Sequence, residues 1–257
     1  MNTVALPDNY VRLDFTLDEG VARRAAIGLV VLATDHTIEH EWRKMLTLDG
    51  VAFFESRLLN SADITPETLM EMEGRIADAV ALLRPGERID VVAFGCTSAS
   101  MVIGEERVFE RIREVRPQSR CTTPITAARV GLQKLGTTRI GLLTPYVRPI
   151  NEAMAAYLGE RGIDVTAMGS FEHGNDNEVA RIDDASLRRA ILAVGARDDV
   201  DAVFVSCTSL RVAEALAGIE AELGKPVTSS NHAMAWHALR LGGVDDALPQ
   251  WGRLFTV

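Results

Sequence analysis

The chain is poor in cysteine, with three in 257 residues. An odd number with no secretory pattern ahead of it leaves no complete disulfide framework and raises the question of thiol chemistry instead. Long apolar runs are absent: the longest, Ile27 to Ala33, falls far short of a membrane span. The opening MNTVALPDNYVRLDF lacks a basic-then-apolar leader, so a cytoplasmic location is expected. Basic charge is in deficit, with 27 Lys and Arg against 36 Asp and Glu and a net charge of -9. The basic residues are scattered, a distribution that repels phosphate backbones and argues against nucleic-acid binding. Neither G-x-G-x-x-G nor G-x-x-x-x-G-K-[ST] occurs, so nucleotide binding has no motif behind it. What remains is a 47% hydrophobic chain, long enough to bury the core of one large domain or two modest ones.

Short β-branched runs alternate with stretches of helical period, the pattern of crossover units feeding a parallel sheet. Eight strands are predicted, beginning near Ile27, Val51, Ile89, Arg120, Arg139, Asp164, Asp201 and Pro226. Between the second and third, Pro66 suits a first helical position. Leu69, Met72, Ile76, Val80 and Leu83 form one face, and Pro85-Gly86 ends the helix. That face is expected to pack on the sheet. Further helices are predicted over 149–161, 185–194, 213–223 and 231–241. The strand starts repeat at offsets of 106 to 113 residues, which marks an internal duplication. The expected architecture is α/β, two similar lobes with four-stranded parallel sheets and the active site in the cleft between them. We expect a first lobe of residues 1–123 plus 229–257 and a second of 124–228.

The third strand of each half ends in nearly the same words, VVAFGCTSAS and AVFVSCTSLR, placing Cys96 and Cys207 at equivalent points. Ligands of open parallel sheets bind just beyond the carboxyl ends of the strands. If a helix starts at each C-T-S, the N–H groups of Thr97, Ser98, Thr208 and Ser209 are first-turn donors suited to a carboxylate. The same positive end would lower a thiol's pKa and free a thiolate to take a proton from carbon or add to an electron-poor alkene. A lone C-T-S reads more simply as a buried structural cysteine. Two copies at equivalent places in a duplicated chain favour function, whereas Cys121, which has no counterpart, takes the structural reading.

At GLVVLATDHTIEHE, GCTSAS, TTPITAA, RIGLLTPY, GNDNEVARID, SCTSLR and SSNHAMAWHALRL, spread over Ile27 to Gly242, the chain resembles the aspartate/glutamate racemase superfamily, in the branch of maleate cis-trans isomerases and arylmalonate decarboxylases. The resemblance implies flavodoxin-like lobes, no cofactor, no metal and commonly a homodimer, acting on a small carboxylate or amino-acid-derived substrate. By the same resemblance Cys96 is the nucleophile, Cys207 delivers a proton from the opposite face, and Tyr146 touches substrate. An asparagine after the sixth strand belongs to such a site; Asn175, Asp176 and Asn177 compete for it, with Asn175 or Asn177 preferred. Arylmalonate-type decarboxylases keep only the second cysteine, so the pair favours an isomerase or racemase. A decarboxylase, or a two-lobed protein that only binds its ligand, stays as the alternative.

Two positions depart from the isomerase pattern. Asp35, in Thr34-Asp35-His36-Thr37, stands where those enzymes carry asparagine, and His232 stands where glutamine is expected. A carboxylate at 35 would repel a dicarboxylate, bind an amino group or serve in acid–base chemistry. Both departures resemble members associated with ectoine utilisation. His232 reads as the end of a sheet rather than an added cation. His36-Thr37-Ile38-Glu39-His40 matches H-x-x-E-H, but no third ligand stands out downstream, so zinc is not expected.

Overall fold

The computed structural model describes residues 9–257, and residues 1–8 of the expected first lobe lie outside the described residues. Residues 9–20 form no regular element and are exposed. The strands are β1 (Ala25–Leu32), β2 (Val51–Leu58), β3 (Val91–Gly95), β4 (Arg120–Thr122), β5 (Arg139–Thr144), β6 (Asp164–Ser170), β7 (Ala202–Val205) and β8 (Val227–Ser229). All pairs are parallel, in the orders β2-β1-β3-β4 and β6-β5-β7-β8. The identical order in both sheets is the duplication made visible, and the two-lobed α/β architecture is as expected. No helix among the described residues is long and apolar enough to cross a membrane.

Every residue of β1, β3 and β7 is buried, as befits central parallel strands covered by helices on both faces. At the edges, β2 mixes buried and exposed positions, and every residue of β6 is half-buried or exposed. The halves share one close approach: a Cβ at Gly28 of β1 would meet Leu83 at 2.7 Å, and at Gly141 of β5 would meet Val194 at 2.5 Å. Glycine at these matched positions lets the covering segment sit down on the sheet.

The helix expected from Pro66 to Leu83 is broken into three pieces: a turn and a half at Pro66–Met70, a 3₁₀ turn at Glu73–Arg75 and a helix at Ile76–Ala81. All five residues of the expected face are buried, but they divide. The last piece packs on β1 and β2, while Pro66–Met70 leaves the sheet and packs over helix Thr97–Ile103. The cause is tertiary. Glu73, buried at the break, accepts hydrogen bonds from Arg107 and Arg111 on helix Glu105–Arg113. Helix Ser230–Leu241 packs along helix Pro124–Lys134 and against β3, which brings the C-terminal segment back to the first sheet.

Candidate active site

Cys96 follows the buried end of β3 in an extended conformation and caps helix Thr97–Ile103, its sulfur accepting the Ala99 N–H at 3.4 Å. The N–H groups of Thr97 and Ser98 lie in the first turn, where no intrahelical acceptor exists. The second C-T-S does not repeat this. Cys207 takes φ of 149°, a left-handed value costly for a residue with a side chain, Thr208 and Ser209 form a turn, and helical geometry begins only at Ala213. Partners from the first half and from the C-terminal helix hold the segment in this shape. The Glu41 carboxylate accepts from Val212 N–H and Ala213 N–H, each at 2.7 Å, and Asn231 Nδ2 donates to both Glu41 and the Thr208 carbonyl at 2.8 Å. Ser230 Oγ accepts the Cys207 N–H at 3.0 Å and lies 2.8 Å from Thr97 Oγ1, so one hydroxyl ties the two cysteine loops together.

Cys96 and Cys207 line one cavity with Thr97, Ser98, Thr208 and Tyr146. Tyr146 is almost wholly buried and shares this lining with Cys207. A strap from the first half, residues 60–72, roofs the cavity with Ile64, Leu69 and Met72. It is pinned to the second half by Ile64 N–H to Gly174 O at 3.1 Å and Asp176 N–H to Ala62 O at 3.0 Å. About 20 Å³ is left inside, room for little more than one water molecule.

Of the three candidates after β6, the structure turns Asp176 into the cavity. Its oxygens accept from Ser209 Oγ and Thr34 Oγ1, both at 2.6 Å. Asn175 instead caps the short helix that Asp176 begins, accepting Glu178 N–H, and Asn177 pairs with His36 Nε2 at 2.9 Å. An asparagine serves so well as a helix cap that local pattern offers no reason to look past it to its neighbour. Asp35 is buried beside the cavity wall; Oδ1 accepts from Thr37 and Ile38 N–H, whereas Oδ2 has no partner. Burial pushes the Asp35 carboxyl up to about 6 and the Glu41 carboxyl up to about 7.

The strap and Ser230 had no signal in the sequence. His36, Glu39 and His40 do not converge: Glu39 pairs with Arg57 and His40 faces Glu214. Among the described residues no group of three metal-binding side chains occurs. His232 is wholly buried, its nitrogens on Thr228 Oγ1 and the Trp251 carbonyl, and burial lowers it to about 4, so it is neutral. Cys121 is half-buried on β4, away from the cavity.

The expectation that a helix end lowers the thiol pKa is reversed in the closed site. Burial, ahead of every other cause, pushes Cys96 up to about 12, against the donated Ala99 N–H, and the Asp176 charge adds to the rise. Cys207 is raised further by burial and then by Asp176. Desolvation of a full charge outweighs one short helix.

The profile of the arylmalonate decarboxylase family matches residues 27–255. The chain is 39% identical over 137 residues to an arylmalonate decarboxylase of Bordetella bronchiseptica, a match spanning 52% of this chain and 57% of that protein. It is 30% identical over 248 residues to a maleate isomerase of Nocardia farcinica, covering 89% and 94%. Among solved structures, the Nocardia farcinica maleate cis-trans isomerase, as a cysteine-to-serine mutant with a covalently bound succinylcysteine intermediate, superposes with a TM-score of 0.82 at 27% identity, covering 90% of this chain and 98% of that one. A liganded double mutant of arylmalonate decarboxylase gives a TM-score of 0.79 at 31% identity, covering 90% and 98%. With its duplicated sheets, its paired C-T-S loops and a match along nearly its whole length, the chain belongs to the arylmalonate decarboxylase family, which its maleate isomerase relatives share.

Proposed function

We propose that the protein is a cofactor-independent isomerase or racemase, acting at the carbon next to a carboxylate of a small carboxylic or amino-acid derivative with Cys96 and Cys207 as its two catalytic thiols. The observation that carries this reading is the presence of both cysteines on one cavity, with Tyr146 in the same lining. In the addition form, the Cys96 thiolate bonds to one alkene carbon and the π pair becomes an enolate on the neighbouring carboxylate, held by the Thr97 and Ser98 N–H groups. The Cys207 thiol protonates the second carbon. Rotation about the new single bond, removal of that proton by Cys207 and expulsion of Cys96 regenerate the alkene in the other geometry. In the racemase form, one thiolate takes the α-proton and the other thiol returns one to the opposite face.

The covalent succinylcysteine of the Nocardia farcinica relative supports the addition form. Retention of two cysteines on one cavity supports either form over decarboxylation. Single serine variants test the reading, because a hydroxyl is too weakly acidic to replace a thiolate near neutral pH. Cys96→Ser and Cys207→Ser should both abolish turnover, and only the chain that keeps Cys96 should gain the mass of the substrate. Substantial turnover by Cys96→Ser with none by Cys207→Ser would replace this mechanism with a one-cysteine decarboxylase.

A further inference from the structure

The cavity is electrostatically one-sided. None of its lining residues, among those described, is lysine, arginine or histidine, and one of them is the buried carboxylate of Asp176. That carboxylate is held by neutral groups alone. Thr34 Oγ1 accepts the Asn60 amide at 2.8 Å, which commits its own proton to Asp176, and Ser209 donates to the other oxygen. Two hydroxyl donors use two of the four lone-pair positions of an ionised carboxylate, and each oxygen keeps one free. Asp35 adds a second buried carboxylate close enough to act on both Asp176 and Cys96, with its Oδ2 unpartnered. A buried charge is ordinarily paired, and here the missing partner has opposite sign.

We propose that Asp176 is a specificity-determining residue that receives a cationic amino group of the substrate, so that the site takes a small molecule bearing one carboxylate and one ammonium rather than a dicarboxylate. The inference rests on the reading of this cavity as the site of a two-thiol isomerase or racemase. Its geometry divides the ligand between two ends. The carboxylate lies at the Cys96 end, and the ammonium meets Asp176, where Thr34 from the first half and Ser209 from the second converge. A dicarboxylate would put its second charge against Asp176 with no cation in the lining to offset it. An ammonium there also relieves the part of the obstacle to catalysis that is charge rather than burial, because the Asp176 charge that disfavours both thiolates in the empty site would be offset on binding. Substrate charge and thiol ionisation are thereby linked, a cationic ligand favouring the thiolates over an anionic one.

Two probes on the same four-carbon cis-alkene skeleton isolate the charge: maleate, and cis-4-aminobut-2-enoate, in which one carboxylate is replaced by an aminomethyl group. Calorimetric titration of the wild-type protein should show the amine binding at least about tenfold more tightly than maleate. Asp176→Asn, of nearly the same shape, should weaken the amine and strengthen maleate so that the order inverts. Maleate bound as tightly as the amine, an amine with no detectable binding at millimolar concentration, or an Asp176→Asn protein with the wild-type ratio would each overturn the assignment. The wild-type comparison stands without the variant, should the variant fold poorly. Binding is read without chemistry, and proton NMR of the same mixtures reads cis-trans conversion separately. The predicted binding order with no turnover of either probe, and no exchange of solvent deuterium into amino acids, would uphold the charge assignment and overturn the two-thiol reaction.

Discussion

Iodoacetamide added to the empty protein near pH 8 should alkylate Cys121 well before Cys96 or Cys207, although the latter two are the proposed catalytic thiols. Burial raises Cys121 as well, but that thiol is only half enclosed and open to the reagent. Against a free thiol with its pKa at 9.0, about one-tenth ionised at that pH, Cys96 at about 12 is ionised to only about one part in ten thousand. The thousandfold deficit in thiolate is partly recovered, because a thiolate of higher pKa is intrinsically more nucleophilic. With a Brønsted coefficient of about 0.4 to 0.5, the net retardation is roughly 30- to 60-fold. Access adds to it, since a cavity of about 20 Å³ cannot admit the reagent until the strap over residues 60–72 moves. Peptide mass spectrometry of a quenched time course, with glutathione as the free-thiol reference, gives the rate at each site. The Cys96 rate should climb nearly tenfold per pH unit up to pH ~11, and Asp176→Asn should accelerate both cavity thiols. Cys96 modified as fast as glutathione near pH 8, or at a rate flat with pH from there upward, would refute the argument that burial and Asp176 hold the closed site neutral.

Glu41→Ala strips the acceptor from two backbone N–H groups and the Asn231 amide at once. Relief of a buried charge offsets part of the loss, leaving a destabilisation of about 2–3 kcal/mol in urea unfolding; an unchanged midpoint would show that Glu41 does not hold the Cys207 segment. Asp35 and Glu41 both have folded pKa values above their unfolded ones, about 6 against 3.8 and about 7 against 4.5. The folded state therefore binds more protons in this window, and their contribution to stability, complete below about pH 4, is lost as pH rises to about 7, at about 3 kcal/mol per group. Thermal unfolding of Asp35→Asn/Glu41→Gln should lack that component of the wild-type slope, and parallel melting-temperature curves from pH ~4 to ~7 would count against it.

The eight strands were legible because a central parallel strand must be apolar along its whole length, and runs such as AAIGLVVL and AVFV have no other reading in a chain of this composition. Their starts fell within two residues of those observed. The paired cysteines were legible for a different reason: duplication printed the same tripeptide twice at the same place in two sheets. What the periodicity of residues 69–83 could not disclose was the break at Glu73, because helical spacing records which side chains are buried and is silent on what covers each one.

The α/β class, the duplication and the position of Cys96 and Cys207 beyond the ends of β3 and β7 were thus determined by the sequence itself, since each follows from local pattern and from identity between the halves. Tertiary structure decided the rest. Thr208 and Ser209 fail to open a helix because Glu41 and Asn231 hold that segment from elsewhere in the fold. Asp176 rather than Asn175 or Asn177 enters the cavity because a cap faces its own helix, whereas the next residue is free to meet Thr34 and Ser209 across the junction of the halves. The thiols are held neutral because desolvation depends on everything packed around an atom, the strap included, and no stretch of neighbouring residues encodes that enclosure.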